Sequence, residues 1–141
     1  MIVNPVNGAH CDLIAQSKNG SGKTGAFSIG STLRVDPQIQ KPQILVLAHV
    51  RELSTQIADV YGKICKFTDI RVNNFTVTGA VDNSQIYVTT LGKIATNLKK
   101  RGNSGKVDLS ALKCLVVDET DHFFTDQRNM QQLNELHKNY I

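Results

Sequence analysis

The 141-residue sequence predicts an α/β fold with a mostly parallel central sheet flanked by helices, and three observations carry that expectation. Short runs that are apolar on both faces alternate with helix-like stretches, as in a sheet covered on each side. RELSTQIADVYGKICKF, between two such runs, sets Leu53, Ile57, Val60 and Ile64 at spacings of four, three and four, one apolar stripe along a helix. Finally, the glycine-rich loop QSKNGSGKTG joins a strand-like run to a helix-like one. Strands alternating with helices imply right-handed crossovers between parallel strands.

Taken in order, CDLIA (11–15) predicts the first strand and residues 23–34 the first helix. QILVLA (43–48) is a second strand, followed by the striped helix. FTVT (75–78) and QIYVT (85–89) read as strands, and 92–101 as a helix with Ile94 and Leu98 on one side. Gly102, Asn103, Ser104 and Gly105 mark a flexible loop. KCLVV (113–117) is the last strand, and 126–138 a weak, polar helix. There are no internal repeats.

Length and a 40% apolar content suit one domain with a real core. Sixteen basic against twelve acidic residues give a net charge of +4, a lean toward anionic partners that identifies none. No apolar run approaches the roughly 18 residues of a membrane span, and MIVNPVNGAH lacks the basic start and long apolar region of a signal peptide. A soluble, intracellular protein is expected. Cys11, Cys65 and Cys114 each sit in an apolar segment without C-x-x-C spacing, so buried free thiols are expected. Sequon matches at Asn19 and Asn74 then carry no weight.

The glycine loop closes a P-loop pattern, with Ser17 where the broad pattern has glycine. Ser17, Asn19, Gly20, Ser21, Gly22, Lys23, Thr24 and Gly25 are the candidate nucleotide-binding residues. Backbone N–H groups of residues 20–24 would face a phosphate, and glycine alone permits so close an approach at positive φ. A helix starting near Lys23 adds about half a positive charge. Lys23 would reach the β and γ phosphates, and Thr24 would offer its hydroxyl to Mg2+. A flexible loop matching by accident is the alternative, and G-x-G-K-S/T arises by chance in only about 0.4% of chains this long.

Phosphate loops need a metal partner. LKCLVVDETD runs from an apolar strand into Asp118, Glu119 and Asp121. In a parallel sheet the carboxyl ends of strands share one edge, so Asp118 would emerge beside Lys23 despite 95 positions between them. Asp118 would hold Mg2+ through water and Glu119 would deprotonate the attacking water. An acidic turn capping the next helix is the bland alternative. His122 reads as a surface residue, because hard Mg2+ prefers oxygen.

DLIAQSKNGSGKT, LAHVREL, VTTLGKI and VVDETD, in that order, resemble motifs I, Ia, Ib and II of the DEAD-box RNA helicases, ATPases built from two RecA-like domains. The resemblance covers nearly the whole chain and corresponds to the first domain only, a RecA-like P-loop NTPase domain incomplete at both ends. It implies ATP and Mg2+ as ligands, with Lys23, Asp118 and Glu119 in catalysis and Thr24 and Asp118 at the metal. Asp121 would couple nucleotide to the inter-domain contacts. Arg51, Gly79, Thr90, Gly92 and Lys93 would hold the RNA sugar-phosphate backbone, without base preference. A second RecA-like domain or a protein regulator is the implied protein partner. AQS before the loop and KFT after the striped helix look most like the branch that remodels mRNA-protein particles at the nuclear pore, which implies cytoplasm or nucleus.

The departures bear on RNA. His49 and Val50 stand where the family has Pro and Thr, Leu91 replaces Pro, Lys93 replaces Arg, Ala80 replaces Gly, and Thr120 replaces Ala. Lysine keeps charge but loses the planar fork for phosphate, so a weaker RNA grip is expected. A solvated helix start is the alternative for Arg51, and a solvated basic face is the favoured reading of Lys99, Lys100, Arg101 and Lys106. The adenine-reading Q motif, the SAT motif and the second domain with its arginine finger would lie outside the sequence, from which poor stability or association through an exposed edge is expected. Two functions stay open: the nucleotide-binding half of an ATP-dependent RNA helicase, or a catalytically weak module binding RNA or a partner. A GTPase is disfavoured, since no N-K-x-D motif occurs.

Overall fold

Ile44–Ala48 are five consecutive apolar residues, every one of them buried, and they form the strand around which the molecule is arranged. In the computed structural model, which describes residues 2–3, 11–18, 20–102 and 104–140, the elements are β1 (Ile2–Val3), β2 (Cys11–Asp12), α1 (Lys23–Thr32), β3 (Ile44–Ala48), α2 (Arg51–Cys65), β4 (Val72–Asn74), α3 (Phe75–Thr78), β5 (Ile86–Thr90), α4 (Leu91–Leu98), β6 (Cys114–Val117), α5 (Thr120–Phe124) and α6 (Gln127–Tyr140). β3 pairs in parallel with β5 and β6, and β4 pairs in parallel with β5, giving the order β4-β5-β3-β6. Burial on both faces is what its sequence requires.

Alternation along β3 divides the core in two. Ile44, Val46 and Ala48 face α1 and α2, with Phe27, Ile57, Tyr61 and Cys65 packed against them. Leu45 and Leu47 face the other side, where Phe75, Leu91, Ile94, Leu98, Phe123 and Leu136 come from α3, α4, α5 and α6. Three residues of the α2 stripe, Leu53, Ile57 and Ile64, pack as the spacing predicts, while Val60 is only partly buried and belongs to neither core cluster. Ser31 Oγ and Tyr61 Oη, 2.6 Å apart and buried, tie α1 to α2, and burial raises the Tyr61 phenol well above its ordinary range. Cys65 and Cys114 are buried free thiols; the Cys11 side chain lies outside the described residues. Among the described residues no helix is long and apolar enough to cross a membrane.

Buried amides brace the amino end of the sheet. Gln43 Oε1 accepts from the Asp36 amide at 2.9 Å, while its Nε2 donates to the carbonyls of Asp36 and Ile39. Gln85 Oε1 accepts from the Arg71 amide and its Nε2 donates to the Pro37 carbonyl. Together they hold the segments that enter β3 and β5.

Two expectations are corrected. FTVT is not a strand: Val72–Asn74 is the strand, and Phe75–Thr78 turns into α3. Its hydroxyls are used in the turn, Thr78 Oγ1 donating to Asn73 Oδ1 at 2.8 Å and Thr76 Oγ1 accepting from the Thr90 amide at 3.0 Å. CDLIA contributes only Cys11–Asp12, paired antiparallel with β1 in a separate two-stranded sheet. Ile14 is 96% exposed and Ala15 is exposed, so these two residues of the run do not enter the core. The loop after α4 is anchored beside Asn103, itself outside the described residues: Asn97 Nδ2 donates to the Gly105 carbonyl and Asn97 Oδ1 accepts from the Val107 amide.

Candidate functional site

Parallel strands end on one edge, and the residues just past those ends carry the chemistry. Ala48 is in register with Thr90, and Leu47 with Val117, so His49, Leu91 and Asp118 leave the sheet on the same side. The Asp118 amide extends the ladder by donating to the Leu47 carbonyl at 3.1 Å.

The glycine loop arrives at this edge through α1. Gly20 (φ +75°) and Gly22 (φ +86°) both occupy the left-handed region, and a Cβ at either would meet nothing within 4 Å, so open space adjoins the loop at both. Gly22 caps α1 with no side-chain hydrogen bond, so the N–H groups of Lys23, Thr24 and Gly25 are not taken by a capping side chain. Ser17 Oγ and Ser21 Oγ lie 2.6 Å apart, and Lys23 Nζ donates to the Ser17 carbonyl at 2.9 Å, folding the ammonium over the loop. Asn19 lies outside the described residues.

Asp118 is half-buried, and burial pushes its carboxyl above the ordinary range. The Glu119 amide, donating to Asp118 Oδ1 at 3.0 Å, works against that rise, the Glu119 carboxylate adds to it, and Lys23 and His49 oppose it. Lys23 and Asp118 are thus within electrostatic reach of each other. Thr24, beside Lys23 in the first turn of α1, and Asp118 present the hard oxygen donors that Mg2+ takes, so the residues suit that ion.

Glu119 is the one non-glycine residue with positive φ, +51°, among the described residues. A left-handed backbone at such a residue costs on the order of 1–3 kcal/mol and persists where surrounding contacts impose it. Here the carboxylate lies between two imidazoles: His49 Nδ1 is 3.0 Å and His122 Nε2 3.8 Å from Glu119 Oε2. The two rings stack with centroids 4.2 Å apart. His122 is exposed, as the sequence suggests, but it is packed on His49 and not isolated. Sequence reasoning missed this cluster. Its signal was the exchange of Pro for His49 in LAHVREL, which becomes informative only once β3 and β6 are known to be neighbours.

Of the residues assigned to RNA by resemblance, Arg51 is exposed at the start of α2, and Gly92 and Lys93 are exposed in the first turn of α4. Thr90 caps α4, and Gly79 ends α3 at φ +60°. A Cβ at Gly79 would lie 3.1 Å from Lys93 Nζ, so the lysine ammonium rests against the glycine and the two form one patch. Asp121 is exposed in the first turn of α5.

Residues 2–140 match the family model of the DEAD/DEAH box helicases. The chain belongs to this family. It is 41% identical over 115 residues to the ATP-dependent RNA helicase DBP5 of Yarrowia lipolytica, an alignment covering 79% of the chain and 23% of that relative. To the ATP-dependent RNA helicase ddx19 of Dictyostelium discoideum it is 36% identical over 123 residues, covering 84% of the chain and 25% of the relative. The chain therefore spans about a quarter of the length of the curated relatives it matches. Among solved structures, S. cerevisiae Dbp5 bound to RNA and ADP BeF3 aligns with a TM-score of 0.76 at 32% identity, over 89% of this chain and 32% of that one. A complex of a Dbp5 variant with Nup159, a Gle1 variant and ADP aligns at 0.74 and 31% identity, over 87% and 33%. The DEAD-box fold, a RecA-like parallel sheet flanked by helices, is that of this chain.

Proposed function

We propose that this chain is the nucleotide-binding part of the first RecA-like domain of an ATP-dependent RNA helicase, using ATP with Mg2+ to remodel RNA or RNA-protein complexes. The observation that carries the proposal is the electrostatic interaction of Lys23 with Asp118 at the carboxyl edge of the sheet, and it supports a phosphate loop of Ser17, Gly20, Ser21, Gly22, Lys23, Thr24 and Gly25. Loop amides and the α1 N-terminus would bind the phosphates, with the Lys23 ammonium released from the Ser17 carbonyl toward the β and γ groups. Thr24 and Asp118 would hold Mg2+, whose bound charge offsets that of the phosphates. Glu119 would take the proton from the attacking water. Arg51, Gly79, Thr90, Gly92 and Lys93 would grip the RNA backbone, and Asp121 would relay nucleotide state to a second RecA-like domain or a regulator. Similarity to Dbp5 bound with Gle1 and Nup159 favours mRNA transport at the nuclear pore as the setting.

A second reading, a catalytically weak module that binds RNA or a partner, is favoured by one observation. His49 Nδ1 lies 3.0 Å from Glu119 Oε2 without an aligned hydrogen bond, and this crowding of the carboxylate stands in the way of its use as a base. Binding of ATP to the full chain with and without Mg2+, with Lys23→Ala as control, tests the nucleotide site. The substitution is expected to weaken Mg2+-ATP binding by about tenfold or more, the scale of one charge-assisted hydrogen bond at 1.5–3 kcal/mol. Unchanged affinity would reject the phosphate loop.

A further inference from the structure

The cluster around Glu119 has a chemistry that the nucleotide site does not use. We propose that His49, Glu119 and His122 form a site for a borderline divalent transition-metal ion such as Zn2+ or Co2+, distinct in ligand type from the oxygen site for Mg2+. The three ligand atoms all lie within 4.8 Å of one another, with His49 Nδ1 at 3.0 Å and His122 Nε2 at 3.8 Å from Glu119 Oε2. Tetrahedral Zn2+ with bonds near 2.0–2.1 Å sets its ligand atoms roughly 3.3 Å apart, so the two measured separations bracket the required one. His49 Nδ1 is buried and has no aligned hydrogen bond despite its nearness to the carboxylate, which leaves a buried imidazole lone pair or proton without a proper partner. A metal ion would supply that partner.

Imidazole suits Zn2+, Co2+ and Ni2+, while Mg2+ takes oxygen, so the donor set selects the metal class. Coordination requires one rearrangement. A metal lies in the plane of each imidazole it binds, and the rings are now near-parallel, 9° apart in a stack. The exposed His122 ring is the one able to tilt, because His49 is held deeper, at 22% exposure against 54%. Three protein ligands leave a fourth position for water, the pattern of an open site. Loading would occupy Glu119 Oε2 and so suppress ATP turnover; that consequence alone rests on the assignment of Glu119 as base.

The test is Co2+ titration of the full chain without nucleotide, followed by the visible ligand-field absorption. The expected result is one saturable equivalent, displaced by Zn2+ and not by excess Mg2+, and weakened at least about tenfold by His122→Ala or His49→Gln, with His137→Ala unchanged. Because residue 122 is exposed, its substitution spares the core, and far-UV circular dichroism checks that the fold persists. Absorption unaffected by His122→Ala, displacement by Mg2+, or no saturable binding would overturn the site. The spectrum does not depend on turnover, so its failure is distinguishable from failure of the helicase reading, which Lys23→Ala addresses.

Discussion

At the amino end of β6, Asp108 accepts from Lys41 at 2.9 Å and from the Ser110 hydroxyl and amide, and these contacts hold its carboxyl well down, at about 2. Immediately past the carboxyl end, Asp118 is half-buried and its carboxyl is pushed up, chiefly by that burial. The contrast extends to the whole sheet. One end is closed by satisfied amides, Gln43 and Gln85, each spanning separate segments. The other carries left-handed glycines, a left-handed glutamate and a carboxylate whose ionised form the fold disfavours. Stability is concentrated at the first end, and groups poised for ligands at the second.

The strongest way to break this division is Gln43→Ala. Gln43 is fully buried, and its loss removes the partner of the Asp36 amide and of the Ile39 carbonyl, the Asp36 carbonyl keeping the Ile39 amide, with each unsatisfied group costing about 1–3 kcal/mol. A destabilisation of about 3 kcal/mol is expected from the shift in urea midpoint, with nucleotide affinity per folded molecule unchanged.

Smaller effects of opposite sign should come from the two aspartates. A raised folded value means that the native state holds the Asp118 proton more tightly than the unfolded chain, so stability falls as pH rises through that value. Asp118→Asn is therefore expected to raise the urea midpoint at pH 7, the gain shrinking as pH falls through the folded value. Asp108 is the reverse. Its depressed value adds stability above about 4 that is lost as pH falls toward about 2. Asp108→Asn should lower the midpoint at pH 7, by an amount equivalent to less than about 1 kcal/mol of stability, since the Lys41 pair is solvent-exposed and screened. Midpoints that move in the same direction for both variants would contradict the division.

Much of the sheet is legible in the sequence because β3 and β5 are buried on both faces, and β6 is buried on one face and partly buried on the other, so their apolar runs have no other use. The α2 stripe is legible for a related reason, since a helix lying on a sheet must repeat its apolar residues near 3.6. FTVT misleads: β-branched residues favour strands, but a local hydroxyl bond to Asn73 and a longer-range one from the Thr90 amide win there. CDLIA misleads differently, because an apolar run predicts burial only where partner strands are in reach. The Lys23 and Asp118 candidates are readable from motif spacing plus the rule that parallel strands end together. His49 with His122 is not readable, for they lie 73 positions apart and neither follows an apolar period.

The central claim is that the glycine loop and the aspartate after β6 act on one ligand at one edge. A double-mutant cycle of Lys23→Ala and Asp118→Ala on Mg2+-ATP affinity measures this directly. Shared contact with a single bound nucleotide predicts a coupling of at least about 1 kcal/mol, whereas additivity within about 0.5 kcal/mol, the behaviour of distant independent sites, would contradict it.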